Sequence, residues 1–184
     1  MARFCLACGA RLARRRLDGR VRLVCRRCGF VFYGNPVPAS VAIVTRGRRI
    51  LLGRRARPPY AGTWDLPGGF LEAGETPLRA LRRELREELG VSIRRARLLD
   101  FVTDRYGPRG FPVLAAIFHV VLPARRSRAS LRPADDVTEL RWFPRERLPY
   151  RAIAFPSMRR ALGRFAGRRR RGTGSRRRGR VRGS

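Results

Sequence analysis

The chain has 184 residues and carries 44 basic against 13 acidic side chains, a net charge of +31 at neutral pH. A hydrophobic fraction of 43% is enough for a packed core and excludes a wholly disordered chain. No apolar run approaches the roughly 20 residues that cross a bilayer, and the opening MARFCLACGARLARRR lacks the apolar segment of a secretory signal; a soluble, cytoplasmic protein with no membrane partner is expected.

Every basic residue is arginine. Such a charge either marks a surface for nucleic acid or another polyanion, or reflects a general bias towards arginine scattered over solvated surface. Arginine runs through strand-like segments as well as the tail, which favours the second reading. Nonspecific nucleic-acid binding through the basic surface and tail is still expected at low salt.

All four cysteines fall at the amino-terminal end, as Cys5-x-x-Cys8 and Cys25-x-x-Cys28, each pair followed by glycine. Two such knuckles have the spacing of a closed four-thiolate structural Zn2+ site, and a segment of about 30 residues has too little core to fold without a staple. Two disulfides or free thiols are the alternative. Residues 20–24 and 30–33 are apolar or alternating, so residues 1–35 are expected to form a small β-ribbon around the metal.

Tyr33-Gly-Asn-Pro-Val-Pro38 reads as a punctuated linker. Strands are expected at 39–45 and 48–54 about a Gly47 turn, then a loop over 56–63 and a glycine turn, Leu66-Pro67-Gly68-Gly69. A helix follows, with Thr76 as N-cap, Pro77 in the first turn and Gly90 as the stop. Leu78, Leu81, Leu85 and Leu89 form its core stripe. Glu84, Glu87 and Glu88 recur at i, i+3 and i+4, which gathers three carboxylates on another face. Either that face is solvated and paired to Arg82, Arg83 and Arg86, or it holds a hard divalent cation. Residues 91–103 and 112–122 are β-rich with a turn at Gly107–Gly110, 137–143 reads as a strand, and 156–165 as a helix with Met158, Leu162 and Phe165 inward. Residues 167–184 are arginine, glycine, serine and threonine almost throughout and should be disordered. The order of elements suits an α+β architecture, a mixed sheet with helices on its faces.

The stretch from Gly69 to Val91 resembles the Nudix box, G-x5-E-x7-R-E-U-x-E-E-x-G-U with U aliphatic. Gly69, Glu75, Arg83, Glu84, Leu85, Glu87, Glu88, Gly90 and Val91 fill every fixed position. The resemblance implies the Nudix fold, an α/β/α sandwich, over residues 36–166, and hydrolysis of a diphosphate with catalytic Mg2+ or Mn2+. It implies Glu84, Glu87, Glu88 and the Gly68 carbonyl as metal ligands, Arg83 as the group orienting a glutamate, and Glu75 as a brace for the loop. The general base would be a box glutamate or an acid of a later loop, where Asp135, Asp136 and Glu139 are candidates and Asp136 is preferred. Arg55 is a candidate phosphate contact or one more solvated arginine. Tyr106, Phe111 and Phe155 would stack on a base or flavin ring, or pack in the core. His119, in an apolar strand run, reads as a satisfied histidine.

A four-cysteine ribbon joined through Tyr33-x-Asn35-Pro36 to such a domain is similar to the NADH pyrophosphatase relatives, and closer to a group that cleaves ADP-ribose and FAD, which carries a segment like Leu148–Phe155. The Ser-Gln-Pro-Trp run of NADH pyrophosphatases is absent; FVTDRYGPRGFP stands between Asp100 and Val113 instead. The expected substrate is a nucleotide-derived small molecule, ADP-ribose, FAD or a related dinucleotide, releasing a nucleoside monophosphate. Pyrophosphate release from nucleoside triphosphates, and RNA binding with 5′-end processing, are the alternatives. The resemblance also allows a homodimer.

Overall fold

The computed structural model describes residues 2–108, 110–123 and 136–167; Asp135 and the tail beyond Gly167 lie outside the described residues. The amino-terminal module is a three-stranded antiparallel sheet: β1 (Leu12–Leu17), β2 (Arg20–Cys25) and β3 (Val31–Phe32). The two knuckles are built alike. The Gly9 amide donates to the Cys5 carbonyl at 2.9 Å and the Gly29 amide to the Cys25 carbonyl at 3.0 Å. The four Sγ atoms all lie within 4.8 Å of one another, with Cys5–Cys28 at 3.6 Å and Cys8–Cys25 at 3.5 Å. A tetrahedral zinc with bonds of about 2.3 Å spaces its sulfurs by roughly 3.8 Å, so this donor set fits zinc and all four thiols are free to bind it.

The larger unit is a mixed sheet in the order β10-β5-β4-β9-β8, formed by β4 (Val37–Arg46), β5 (Arg49–Arg55), β8 (Arg97–Arg105), β9 (Pro112–Val121) and β10 (Val137–Pro144). Two short strands hang on it: β6 (Trp64–Asp65) pairs with β5 and β7 (Gly68–Phe70) with β4. Strands β4 and β9 run parallel; the other pairings are antiparallel. Strand β4 is central and buried on both faces, which explains its unbroken apolar run. Ala39, Val41 and Ile43 pack on one side with Met158, Ala161 and Leu162 of α2 (Pro156–Gly167). Ala42 and Val44 pack on the other with Leu81, Leu85 and Leu89 of α1 (Pro77–Leu89). Helices on both faces make the layered α/β/α sandwich that the box resemblance implies.

The helix signals behave as their chemistry dictates. The Thr76 side chain accepts from the Arg79 amide, Pro77 occupies the first turn, and Gly90 sits at φ 65°, a left-handed conformation that costs glycine little. The amides of Gly90 and Val91 then close back on the Arg86 and Leu85 carbonyls at 3.0 and 3.1 Å. One strand starts later than its β-rich composition suggests: residues 91–96 are irregular, because Val91 and Ile93 fill the core beside α1 without sheet pairing. The short strands β1, β6 and β7 are additions to the expected set. No helix among the described residues is long and apolar enough to cross a membrane.

Purified protein should carry stoichiometric zinc by elemental analysis. Cys25→Ser should release it and abolish the dispersed amide signals of residues 2–34, while those of α1 and α2 persist. A metal-free native protein with an intact ribbon would contradict the assignment.

Candidate active site

Packing on β4 brings the glycine turn against α1. Strand β7 pairs with β4 so that Gly68 lies opposite Val41 and Gly69 opposite Ser40. Gly68 has φ 131°, and a Cβ there would come within 2.2 Å of the Ser40 carbonyl oxygen, so only glycine fits. The Ser40 hydroxyl donates to the Pro77 carbonyl at 2.8 Å and fastens the start of α1 to the same strand. Gly69 is tight for another reason: a Cβ there would lie 2.4 Å from Oε1 of Glu84.

Arg83 is the hub of the acidic face. Its Nε and Nη2 donate to the two oxygens of Glu75, each at 3.1 Å, and Nη2 also to the Phe70 carbonyl at 2.9 Å. Its Nη1 donates to Glu84 at 2.8 Å and to Glu87 at 3.0 Å. Hydrogen bonding to Glu75 raises the proton affinity of the guanidinium still further, and Arg83 in turn holds the Glu75 carboxyl below its ordinary range. Glu75 also accepts from the Glu72 amide at 2.9 Å, which closes the loop before the helix.

The three box glutamates do not occupy equivalent positions. Glu88 is partly buried and accepts from the Gly68 amide at 2.9 Å. Burial pushes its carboxyl up to about 8, against that hydrogen bond, with the charges of Glu84, Asp65 and Asp136 adding to the rise. Burial also raises Glu84, against its contact with Arg83. Both line a cavity of about 470 Å3 together with Gly68, Gly69, Arg55 and Asp65. Glu87 is 52% exposed, faces Arg83 and lies outside the cavity wall. Among the described residues only the four cysteines bring three or more ligand atoms within 4.8 Å of one another. Desolvated carboxylates with raised proton affinity are groups that a cation would neutralise. A hard divalent ion keeps waters and takes its remaining oxygens from substrate phosphates, so it needs few carboxylates from the protein.

Arg55 also lines the cavity. Its Nε donates to the Pro59 carbonyl at 2.8 Å, Nη1 to Asp65 and Nη2 to the Tyr106 hydroxyl, both at 3.0 Å. The guanidinium carbon lies 5.6 Å from the Tyr106 ring centroid and 5.4 Å from that of Phe155. Tyr106 is stacked between Phe111 at 5.5 Å and Phe155 at 5.9 Å, so these rings meet one another first. Tyr106 and Phe155 line the cavity, whereas Phe111 caps the stack from outside it. Asp136 stands at the cavity wall with its carboxylate 71% exposed and 3.4 Å from Arg57. Glu139 pairs with Arg54 and Arg141 on β10. His119 is away from this wall, bonded to the Thr45 hydroxyl at 2.9 Å and packed on Phe165, with burial lowering its pKa.

Three acids of the cavity were not foreseen: Asp65, Glu72 and Asp104. Asp65 is enclosed beside Arg55, its Oδ1 accepts from the Leu66 amide at 2.8 Å, and burial lifts it to about 6. Asp104 also lines the cavity and accepts from the Ser157 amide at 2.9 Å, at the start of α2. The one sequence signal for Asp65 was a lone acid between Trp64 and the apolar turn; Asp104 had none, since β8 carries charge along its exposed face.

Comparison with known proteins agrees with this geometry. The NUDIX domain family matches residues 35–165, and the Nudix N-terminal family, a zinc ribbon, matches residues 3–34. The chain is 32% identical over 149 residues to the NAD-capped RNA hydrolase NudC of Pseudomonas aeruginosa, covering 80% of this chain and 49% of that protein. It therefore spans about half the length of that relative. It is 34% identical over 119 residues to the ADP-ribose pyrophosphatase of Methanocaldococcus jannaschii, covering 64% of this chain and 67% of the relative. The crystal structure of a NUDIX hydrolase from Nitrosomonas europaea superposes with a TM-score of 0.72 at 27% identity, covering 93% of this chain and 94% of the other. The chain thus belongs to the Nudix hydrolase family, with a zinc ribbon preceding the NUDIX domain.

Proposed function

We infer that the chain hydrolyses the diphosphate linkage of nucleoside diphosphate derivatives, ADP-ribose, FAD or a related dinucleotide, and releases a nucleoside monophosphate. The observation that carries the reading is the pair of desolvated carboxylates, Glu84 and Glu88, facing one cavity with the Gly68 turn. The names of the NudC and ADP-ribose pyrophosphatase relatives point the same way. Catalysis is assigned to residues 36–166 and support to the ribbon, residues 1–35.

Glu84, Glu88 and the Gly68 carbonyl would hold Mg2+ or Mn2+, with Glu87 adjoining. When bound, the ion supplies neutralisation of phosphate charge and activation of water. The chain's own residues do the positioning. Arg83 holds Glu84 and Glu87 in one orientation and favours the ionised form of Glu84. The Gly68 amide fixes one oxygen of Glu88 and leaves the other to the cavity. Asp136, exposed at the cavity wall and tied to the sheet through its carbonyl, which accepts from the Ala56 amide at 3.0 Å, takes the proton of the attacking water. The water oxygen bonds to one phosphorus of the linkage as the bridging oxygen leaves with the other. Arg55 and Arg57 supply positive charge to the same cavity for the phosphates.

Incubation with Mg2+ and a panel of dinucleotides should yield AMP from ADP-ribose or FAD. Release of pyrophosphate from nucleoside triphosphates alone would refute the substrate class. Glu88→Gln should cut turnover by about two orders of magnitude or more with the fold retained; a near-normal rate would remove Glu88 from the site. Asp136→Asn should lower kcat by roughly 100-fold with KM little changed, and an unchanged kcat would reassign the base. Gly69→Ala should also reduce turnover, because its Cβ forces the Glu84 carboxylate aside. Full activity in that variant would show that Glu84 need not stay where it lies.

A further inference from the structure

The ribbon carries a feature that zinc binding does not require. Strands β1 and β2 form a two-residue hairpin closed by Asp18-Gly19. Residues 14–17, 20 and 21 are exposed, whichever face of the sheet they occupy. The tip therefore projects with neither face packed, an arrangement with little stability of its own. Its side chains are mostly arginine: Arg14, Arg15, Arg16, Arg20 and Arg22. Arg15 and Arg22 stand directly opposite in the register, a like-charge pairing that opposes the fold. Among the described residues none of these five makes an ion pair, and Asp18 in the turn is the one acid of the module.

Two exposed apolar side chains adjoin this charge: Val21, between Arg20 and Arg22, is 69% exposed, and Tyr33, beside Arg22, is 51% exposed. Arg22 lies over the Tyr33 ring at 5.0 Å and donates to the Tyr33 carbonyl at 3.2 Å, which holds one ring face against the guanidinium. Unpaired cations beside an exposed ring are what a single-stranded nucleic acid engages, phosphates on the arginines and a base on the free aromatic face. A duplex would use the charge but not the ring. RNA binding is already an alternative from the sequence, but the even spread of arginine does not place it; the hairpin stands out only when the register sets arginines across from each other with neither face packed.

We propose that the β1–β2 hairpin, with Tyr33 beside it, is a binding surface for single-stranded RNA, separate from the catalytic cavity. The surface is independent of the substrate assignment and holds whichever diphosphate is hydrolysed. The test is fluorescence anisotropy of a labelled oligouridylate with the full chain across a salt series. Replacing Arg14, Arg15 and Arg16 together by glutamine should weaken binding about tenfold or more, and flatten the log–log salt slope by about 0.7 per arginine, or roughly 2 in all. The charge-matched control replaces Arg94, Arg95 and Arg97, all exposed on the NUDIX domain. It should have a clearly smaller effect, and both variants should retain zinc and dinucleotide turnover. Equal losses in the two variants would mean diffuse attraction to net charge and would overturn the proposal. So would tighter binding to a duplex of the same length, or binding to phosphatidylserine vesicles without binding to RNA. Should the glutamine variant lose zinc, titration of the RNA into isotope-labelled parent protein decides: amides of residues 14–22 and Tyr33 should shift first, and shifts confined to α1 or α2 would refute the site.

Discussion

The contact on which the site depends is the fork of Arg83. Glu84, Glu87 and Glu88 crowd one end of a helix, where like charges three and four residues apart destabilise it. Arg83 bonds two of them and ties both to Glu75 and to the Phe70 carbonyl, so the repulsion becomes a fixed arrangement rather than a frayed end. A lysine could not do this, because the five N–H groups of a planar guanidinium reach several oxygens at once. Glu88 is left to the Gly68 amide, one neutral donor for one desolvated carboxylate. That imbalance distinguishes Glu88 from its neighbours.

The scaffold works by the same economy of contacts. Strand β4 receives β5, β7 and β9 along its length, and its alternating side chains fill both cores. Strand β7 places the Gly68 turn, and Ser40 on β4 pins the start of α1, so turn and helix share one reference strand. A shift of the β4–β7 register by one residue would move the Gly68 amide from Glu88 and set a side chain against the Ser40 carbonyl. The glycines are thus a steric condition on the site as much as a loop preference.

What could be read from the sequence follows from which features are local. The helix caps at Thr76, Pro77 and Gly90, and the leucine stripe, obey a short-range period and stand where expected. The four cysteines also carry their meaning in spacing alone. Features that depend on pairing were out of reach. Leu12–Leu17 is arginine-rich with no alternation, yet it is a strand because β2 pairs with it over its whole length. The strands β6 and β7 are too short to show a period. Arg55 reads in sequence as one arginine among many, and only the fold surrounds it with Asp65, Tyr106 and Phe155. Asp65 and Asp104 are single acids on separate strands, and the cavity they share is a product of topology.

The distribution of charge links this architecture to its chemistry. Only 13 acids oppose 44 arginines, yet Asp65, Glu72, Glu84, Glu88, Asp104 and Asp136 all line one cavity. The molecule is therefore a cationic shell around an acidic hollow. The shell draws polyphosphates inward, most strongly at low ionic strength. The hollow repels them until its carboxylates are neutralised, and the raised proton affinities of Glu84 and Glu88 are the mark of that unmet demand. Arg55 and Arg57 border the same hollow, each paired to one of its acids, Asp65 and Asp136, so fixed positive charge lies among the carboxylates themselves.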